Sequence, residues 1–197
     1  MDSDTVILAF DTSGPFCAAA VLINSEFKAC RADDMARGQA EAIMDMIEDV
    51  LRTSGVTLRD VKRIGVGTGP GNFTGIRISV SAARGFALSL GIPAIGVNGF
   101  EATLFEQSEQ AVACLPAIRG QIYFAGHGLN PKMGNRDQAA QLGRPLIDRP
   151  HPAQLVQNIA RLAEHADQFD RPIPEYVKPA DAAPARDLPP KVLDDAN

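Results

Sequence analysis

The first half of the chain alternates between short apolar runs and longer segments with helical periodicity. Residues 6–11 are apolar enough for a buried strand, and two more strands are predicted over 18–24 and 27–33, joined by a turn at Asn24-Ser25-Glu26. Because the connections between these three strands are short, the strands must be antiparallel neighbours. The chain is therefore predicted to open with a three-stranded meander.

Helices and strands then alternate. The apolar positions between 36 and 52 recur at helical spacing, and Gly55 stands where such a helix would stop. A strand over 61–67 leads through a glycine-rich loop into a helix over 76–90, and a fifth strand follows over 94–97. The order β-β-β-α-β-α-β predicts an α/β fold with a mixed five-stranded sheet, whose later strands run parallel through right-handed crossovers and are covered by helices.

The second half carries weaker patterns. A helix over 99–110 and strands over 111–117 and 121–127 predict a reduced second lobe, and 152–169 has one more helical period. Prolines recur from 172 onwards, which indicates an extended or disordered tail. We therefore predict three parts, a first lobe at 1–99, a reduced second lobe at 100–170 and a proline-rich tail at 171–197.

Composition and charge restrict the functional classes. The formal net charge of -5 and the pI near 5.2 lack the basic excess that holds nucleic acid through its phosphates, so any RNA contact is expected to need a partner. No apolar run is long enough to span a bilayer, and the acidic N-terminus differs from a basic signal peptide, which predicts a cytoplasmic protein. Cys17, Cys30 and Cys114 form no Cys-x-x-Cys pair and are expected to be reduced, buried hydrophobes.

The sequence Asp11-Thr12-Ser13-Gly14 is a candidate contact for a phosphate or nucleotide. It lies where the first strand turns into the second, which places backbone amides, two hydroxyls and a carboxylate at the mouth of a hairpin. The alternative is an ordinary Asx or Ser/Thr turn. Both interpretations stay open from the residues alone.

A glycine-rich loop between a strand and a helix could receive an anion at the helix N-terminus. It is neither a P-loop nor a dinucleotide fingerprint. In the structural alternative, which we favour, the glycines permit tight turns, Phe73 plugs the core and Thr74 caps the following helix. This predicts a rigid turn that orients the second helix, with the motif residues Gly69, Pro70, Gly71, Phe73, Thr74, Gly75 and Arg77.

The first two helices carry more apolar and small residues than one sheet contact needs. Three positions widen the apolar stripe of the first helix, and methionine is common on surfaces that adapt to a partner. The second helix presents small residues at four-residue steps, which let another helix approach closely. Internal packing is the alternative. The predicted partner or dimer interface comprises Ala42, Met46, Val50, Ser79, Ala83 and Ala87.

No catalytic residue and no metal site are predicted. The histidines His127, His151 and His165 are scattered, and none pairs with another at the spacing of helical metal ligands. The sequence contains no Gly-x-Ser-x-Gly nucleophile elbow, and no cysteine is flanked by an activating motif.

Three segments carry a resemblance to a known family: Leu8-Ala9-Phe10-Asp11-Thr12-Ser13, Arg37-Gly38-Gln39-Ala40-Glu41, and the run from Gly65 to Arg77 that contains the glycine-rich loop. Together they resemble the TsaB (YeaZ) branch, the non-catalytic paralogues, of the bacterial Kae1/TsaD/glycoprotease family. The match covers the first lobe and resumes faintly at 117–123 and 174–178. The resemblance implies an actin-like ATPase fold (ASKHA, ribonuclease H-like) with two lobes.

The resemblance also implies a role. Such a protein binds and activates TsaD, with TsaE, for threonylcarbamoyl transfer to the adenosine beside the tRNA anticodon, through a bundle of the first two helices. A homodimer is expected through the same surface when TsaD is absent, and tRNA contact only through the complex. No intrinsic cofactor is expected, and ATP or ADP only at the interface with TsaD and TsaE.

Departures from the family pattern bear on competing functions. The catalytic paralogue has a His-x-x-x-His metal pair on the first helix, where this chain has Arg37 and Glu41. In the second lobe, Leu115-Pro116-Ala117-Ile118-Arg119 replaces the more usual Asp-Ala-Arg-Arg. The alternatives are an ATP-binding or phosphoryl-transfer enzyme that uses Asp11 and Thr12, and a glycoprotease-type metallopeptidase.

Overall fold

A mixed five-stranded sheet forms the centre of the first lobe in the computed structural model, which describes residues 5–167 and 170–177. The strand order is β3-β2-β1-β4-β5. β1 pairs antiparallel with β2 and parallel with β4, so the meander and the parallel crossovers share one sheet, as predicted. The strands are β1 (Val6–Asp11), β2 (Phe16–Ile23), β3 (Glu26–Asp34), β4 (Val61–Gly67) and β5 (Ala94–Val97).

Two long helices, α1 (Gln39–Thr53) and α2 (Phe73–Leu90), cover one face of this sheet. A short helix, α3 (Gly99–Leu104), ends earlier than predicted, because the backbone turns away at Phe105 and Glu106 takes a positive φ of 59°. In the part of the chain that the structure describes, no helix has the length and hydropathy needed to cross a membrane.

A second, four-stranded sheet has the order β8-β7-β6-β9. The two predicted strands are its centre, and the edge strands β8 and β9 escaped prediction because prolines and polar residues interrupt that stretch. Pro131 is tolerated because β8 is an edge strand, where a missing N–H breaks no interior ladder. The elements are β6 (Val112–Pro116), β7 (Ile122–Gly126), β8 (Leu129–Gly134), α4 (Arg136–Ala140) and β9 (Leu146–Asp148).

The last helix, α5 (Pro152–Glu164), is part of the predicted second lobe but packs mainly on the first sheet, with a smaller contact to α3. Leu155, Val156 and Ile159 pack on the second face of the first sheet, against residues such as Ile7 and Ala9. Every residue of β1 is buried, and a strand buried on both faces needs a cover on each side. The lobe boundaries at 1–99 and 100–170 stay a prediction.

The predicted tail falls partly outside the described residues. Residues 170–177, which we call the strap, form neither helix nor strand and lie beside the ends of β4 and β5, with Pro172 buried. The Glu175 N–H donates to the Thr68 carbonyl at 2.8 Å, so the strap is tied to the residue that follows β4. The prediction for 178–197 lies outside the described residues.

Candidate functional site

The polar side chains of the turn after β1 are hydrogen-bonded to other groups of the chain. One oxygen of Asp11 accepts a hydrogen bond from the Ser13 amide at 2.7 Å, and the other accepts from the Ser13 hydroxyl at 2.9 Å. The Thr12 hydroxyl donates to the Gly75 carbonyl at 2.6 Å. All three residues are nearly inaccessible to solvent. This geometry favours the Asx-turn alternative for Asp11, Thr12 and Ser13, and their contact with a phosphate stays a prediction.

The charge state of Asp11 reflects its burial. Desolvation raises the pKa of its carboxyl, and this is opposed by the hydrogen bonds from Ser13 and by the positive charge of Arg149. Arg149 lies just after β9, in the second lobe, and sequence reasoning did not identify it. A charged residue of the second lobe therefore affects the pKa of a carboxyl group in the first lobe.

The glycine-rich loop packs backbone to backbone against the same turn. A Cβ on Gly71 would lie 2.1 Å from the Ser13 carbonyl oxygen, and one on Gly75 would lie 1.9 Å from the Thr12 carbonyl oxygen. The Asn72 N–H donates to the Ser13 carbonyl at 2.7 Å. These two glycines are required because no side chain fits at that approach. Gly69, with a φ of 101°, extends the loop to α3 by accepting a hydrogen bond from the Gly99 amide at 2.7 Å.

Two details of the predicted loop are wrong. The cap of α2 is Asn72 rather than Thr74, since the Asn72 side chain accepts a hydrogen bond from the Gly75 amide at 2.9 Å, and the helix begins at Phe73. Phe73 does not plug the core. Its half-buried ring stacks on Tyr176 of the strap with centroids 4.9 Å apart, and the Arg77 guanidinium lies 3.9 Å from its centroid.

The strap completes the site with residues that sequence reasoning noted only as a faint family match. A Glu175 oxygen accepts a hydrogen bond from the Thr68 hydroxyl at 2.8 Å, and the other accepts from the Asn98 side-chain amide. The Tyr176 hydroxyl accepts from Arg77 Nε at 3.2 Å. The start of α2 is therefore held by the turn after β1 on one side and by the strap on the other.

The predicted interface residues lie mostly inside the chain. Met46 and Val50 are 2% exposed and belong to the core under α1, while Ser79 and Ala83 are fully buried under α2. The stripe on α1 is wide because this helix packs on the sheet and on α2 at once. These four side chains therefore cannot present a surface to a partner. The remaining two predicted interface residues, Ala42 and Ala87, are partly buried.

A different set of side chains is exposed on the same two helices. Met44 of α1 is 46% exposed and Leu88 of α2 is 86% exposed. Between the helices and the segment after α1 lies an open apolar cavity of about 560 Å³, which we call the helix groove. Its apolar lining comprises Met44, Ile47, Leu51, Val56, Leu58 and Phe86.

Comparisons with known proteins agree on one family. The family model of TsaD, the tRNA N6-adenosine threonylcarbamoyltransferase, matches residues 33–183. The tRNA threonylcarbamoyladenosine biosynthesis protein TsaB of Escherichia coli is 34% identical over 132 residues, covering 60% of this chain and 53% of the relative. The TsaB protein of Haemophilus influenzae is 34% identical over 125 residues, covering 60% and 52%. The chain thus spans about half the length of these curated relatives.

The fold comparison gives the same answer for the architecture. A solved structure of YeaZ from Pseudomonas aeruginosa superposes with a TM-score of 0.69 at 22% sequence identity, covering 87% of this chain and 99% of the other. The predicted α/β fold with a mixed five-stranded sheet and the predicted resemblance to the TsaB (YeaZ) branch are both confirmed.

Proposed function

The chain belongs to the TsaD family of tRNA N6-adenosine threonylcarbamoyltransferase, and we propose that it is a non-catalytic subunit of tRNA threonylcarbamoyladenosine biosynthesis in the cytoplasm. In this role it binds and activates a separate catalytic TsaD, together with TsaE, for threonylcarbamoyl transfer to the adenosine beside the tRNA anticodon. The names of the curated TsaB relatives support the biosynthetic assignment. ATP or ADP would bind only at the interface between subunits.

The observation that carries this proposal is the helix groove. Exposed apolar side chains on two neighbouring helices are typical of a site that receives an amphipathic helix. Met44 stands at its rim, and Leu88 projects from the neighbouring helix into solvent. We propose that a helix of TsaD lies against this surface, and that a second copy of this chain does so when TsaD is absent.

Gln39 lies between Arg37 and Glu41, the two residues that stand in place of the metal pair, and it has a structural role at the start of α1. The Gln39 side-chain amide donates to the carbonyl of Met35 at 3.1 Å and to that of Gly14 at 3.4 Å. It therefore ties the start of α1 to the turn before β2. The phosphoryl-transfer alternative is not favoured, because Asp11 and Thr12 already bind Ser13 and Gly75.

Substitution of Leu88 and Met44 by lysine tests the proposed surface. Both side chains are exposed, so Leu88→Lys and Met44→Lys should fold normally, unlike changes at the buried Met46 or Ala83. Placing an unpaired charge in an apolar interface should weaken the complex with TsaD by about tenfold or more. Leu142→Lys, at an exposed leucine of the second lobe, is the matched control.

Light scattering of the purified chain mixed with TsaD gives the mass of the complex, and a tRNA modification assay gives its activity. We expect both the complex and the modification to decline in the two helix variants and to persist in the control. A folded Met44→Lys variant that binds TsaD and supports modification like the unmodified chain would show that the groove is not the binding surface. The same result for Leu88→Lys would exclude the neighbouring face of α2, which lies outside the groove.

A further inference from the structure

The strap lies at the carboxyl ends of β4 and β5, where two glycines leave room for a second backbone. A Cβ on Gly69 would lie 2.8 Å from the Glu175 carbonyl oxygen, and one on Gly96 would lie 3.2 Å from the Cβ of Pro172. The Glu175 N–H donates to the Thr68 carbonyl at 2.8 Å. A chain segment therefore fits directly against the ends of these strands, and we call this site the strap groove.

The walls of the strap groove contact an acidic side chain and the aromatic side chain that follows it. The Thr68 hydroxyl donates to one carboxylate oxygen of Glu175 at 2.8 Å, and the Asn98 side-chain amide donates to the other. The ring of Tyr176 stacks on Phe73 with centroids 4.9 Å apart. Both carboxylate oxygens and the aromatic ring thus have their own contacts in the groove.

The groove extends to a third side chain of the strap. The Tyr176 hydroxyl accepts a hydrogen bond from Arg77 Nε at 3.2 Å, so the polar tip of the ring is also held. Val177 then packs against the apolar cluster of the second lobe that contains Phe100 and Leu115. Three consecutive positions of the strap, one acidic, one aromatic and one aliphatic, therefore each have a separate place in the groove.

The walls of the groove also have partners apart from the strap. The Thr68 hydroxyl has a second acceptor in the Val97 carbonyl at 3.2 Å. The Asn98 side-chain oxygen accepts from the Phe100 amide at 2.8 Å and caps α3. These contacts do not involve the strap, so its departure would leave the groove formed and open to solvent.

The strap itself is held by few contacts. Ile173 is 64% exposed and Tyr176 is 38% exposed. Within residues 5–167 and 170–177, the Glu175 N–H forms the one backbone–backbone hydrogen bond of the strap. Segments of this kind open locally at a low free-energy cost. The two prolines of the strap fix their own φ angles, which lowers the entropy lost when such a segment docks.

We propose that the strap groove is a docking site for a peptide segment with an acidic, an aromatic and an aliphatic residue in succession, and that the strap is its internal competitor. A partner protein that presents such a segment displaces the strap. The apparent affinity for the partner is then reduced in proportion to the fraction of grooves that are open. The proposal uses neither the helix groove nor TsaD, so it stands or falls separately from the proposed function.

Fluorescence anisotropy with a labelled, end-capped peptide of residues 170–177 tests the site on the full chain. The double variant Glu175→Ala with Tyr176→Ala should release the strap and bind this peptide about tenfold or more tighter than the unmodified chain does. Ile173→Ala, at an exposed position of the strap, is the matched control and should leave the affinity at the unmodified value. A peptide with alanine in place of its glutamate and tyrosine should bind the double variant about tenfold or more weakly.

Amide hydrogen exchange of the unmodified chain measures opening of the strap without any variant. The Glu175 amide should exchange about tenfold or more faster than the β4 amides that pair with β1. The proposal is overturned if this amide exchanges as slowly as those of β4, or if the peptide fails to bind the folded double variant. It is also overturned if the peptide binds the unmodified chain as tightly as the double variant, or if the alanine-substituted peptide binds equally well.

Discussion

Gly75 and Gly85 of α2 differ in the space that is available for a side chain. At Gly75 a Cβ would lie 1.9 Å from the Thr12 carbonyl oxygen, whereas at Gly85 it would meet nothing within 4 Å. Gly75→Ala should therefore lower the free energy of unfolding by about 1–3 kcal/mol, because the helix must move away from the turn. Gly85→Ala should raise it by about 0.5–1 kcal/mol through helix propensity. Urea denaturation measures both, and changes of the same sign would contradict this account.

The buried carboxyl of Asp11 predicts a pH dependence of stability. Its pKa is raised by burial, so folding favours the neutral form. This contribution is fully present below the unfolded pKa of about 3.9 and is lost as the pH rises through the folded value. In Asp11→Asn the amide does not titrate. The free energy of unfolding of the unmodified chain, minus that of Asp11→Asn, should decrease as the pH rises above about 4.

Urea titrations of both proteins at several pH values measure this difference, in which the other titrating groups largely cancel. An increase of the difference with pH would show that the ionised carboxylate is the form that folding favours.

Sequence reasoning identified the polar turn and the glycine-rich loop but could not decide their roles. The Thr12 hydroxyl binds the Gly75 carbonyl, and no local periodicity connects residues so far apart in the chain. Phe73 is a second example, because its ring stacks on Tyr176 of the strap and does not enter the core. An aromatic residue next to glycines fits either environment, and the choice depends on tertiary contacts.

Elements with uninterrupted apolar runs were predictable from the sequence. Which other element packs against each of them was less predictable. The strands of the first sheet and the helices α1 and α2 follow from periodicity alone. The apolar stripe of α1 has the same appearance whether the covering helix belongs to the chain or to a partner. Met46 was therefore assigned to an interface although it lies in the core. The apolar run of β1 was the sign in the sequence that both faces of the sheet are covered. Every residue of this strand is buried, so a further helix must cover the second face.

Attachment of α5 to the sheet depends on a side chain of β4. One nitrogen of the Arg63 guanidinium donates to three carbonyls at the end of α5, those of Ala163, Glu164 and Ala166, at 2.8–3.2 Å. These carbonyls lack partners within the helix, and the cation also complements the helix dipole. Arg63→Met should therefore lower the free energy of unfolding by about 1–3 kcal/mol.

Lys62→Met is the matched control, because Lys62 precedes Arg63 on the same strand and is exposed. Its effect should stay within about 0.5 kcal/mol. Amide hydrogen exchange should show faster exchange at the end of α5 in Arg63→Met alone. Similar losses of stability in both variants would mean that the charge of this strand, and not the helix cap, is responsible.

The two lobes share a core that crosses the predicted boundary at residue 99. The second face of the first sheet carries Ile7, Ala9 and Leu22, and α5 from the second half of the chain covers it. Removing that helix would return a continuous apolar surface to water, at roughly 25 cal/mol for each Å². A contiguous exposed surface of this kind leads to association.

A fragment of residues 1–99 should therefore fail to fold as an independent lobe. We expect it to bind a hydrophobic dye, to aggregate and to lack a cooperative unfolding transition. A fragment of residues 1–177 keeps α5 and the strap and should unfold cooperatively like the full chain. Calorimetry and dye fluorescence on the two fragments make the comparison. Cooperative unfolding of 1–99 without dye binding would show that the first sheet is stable with one covered face, and that the boundary at residue 99 separates true domains.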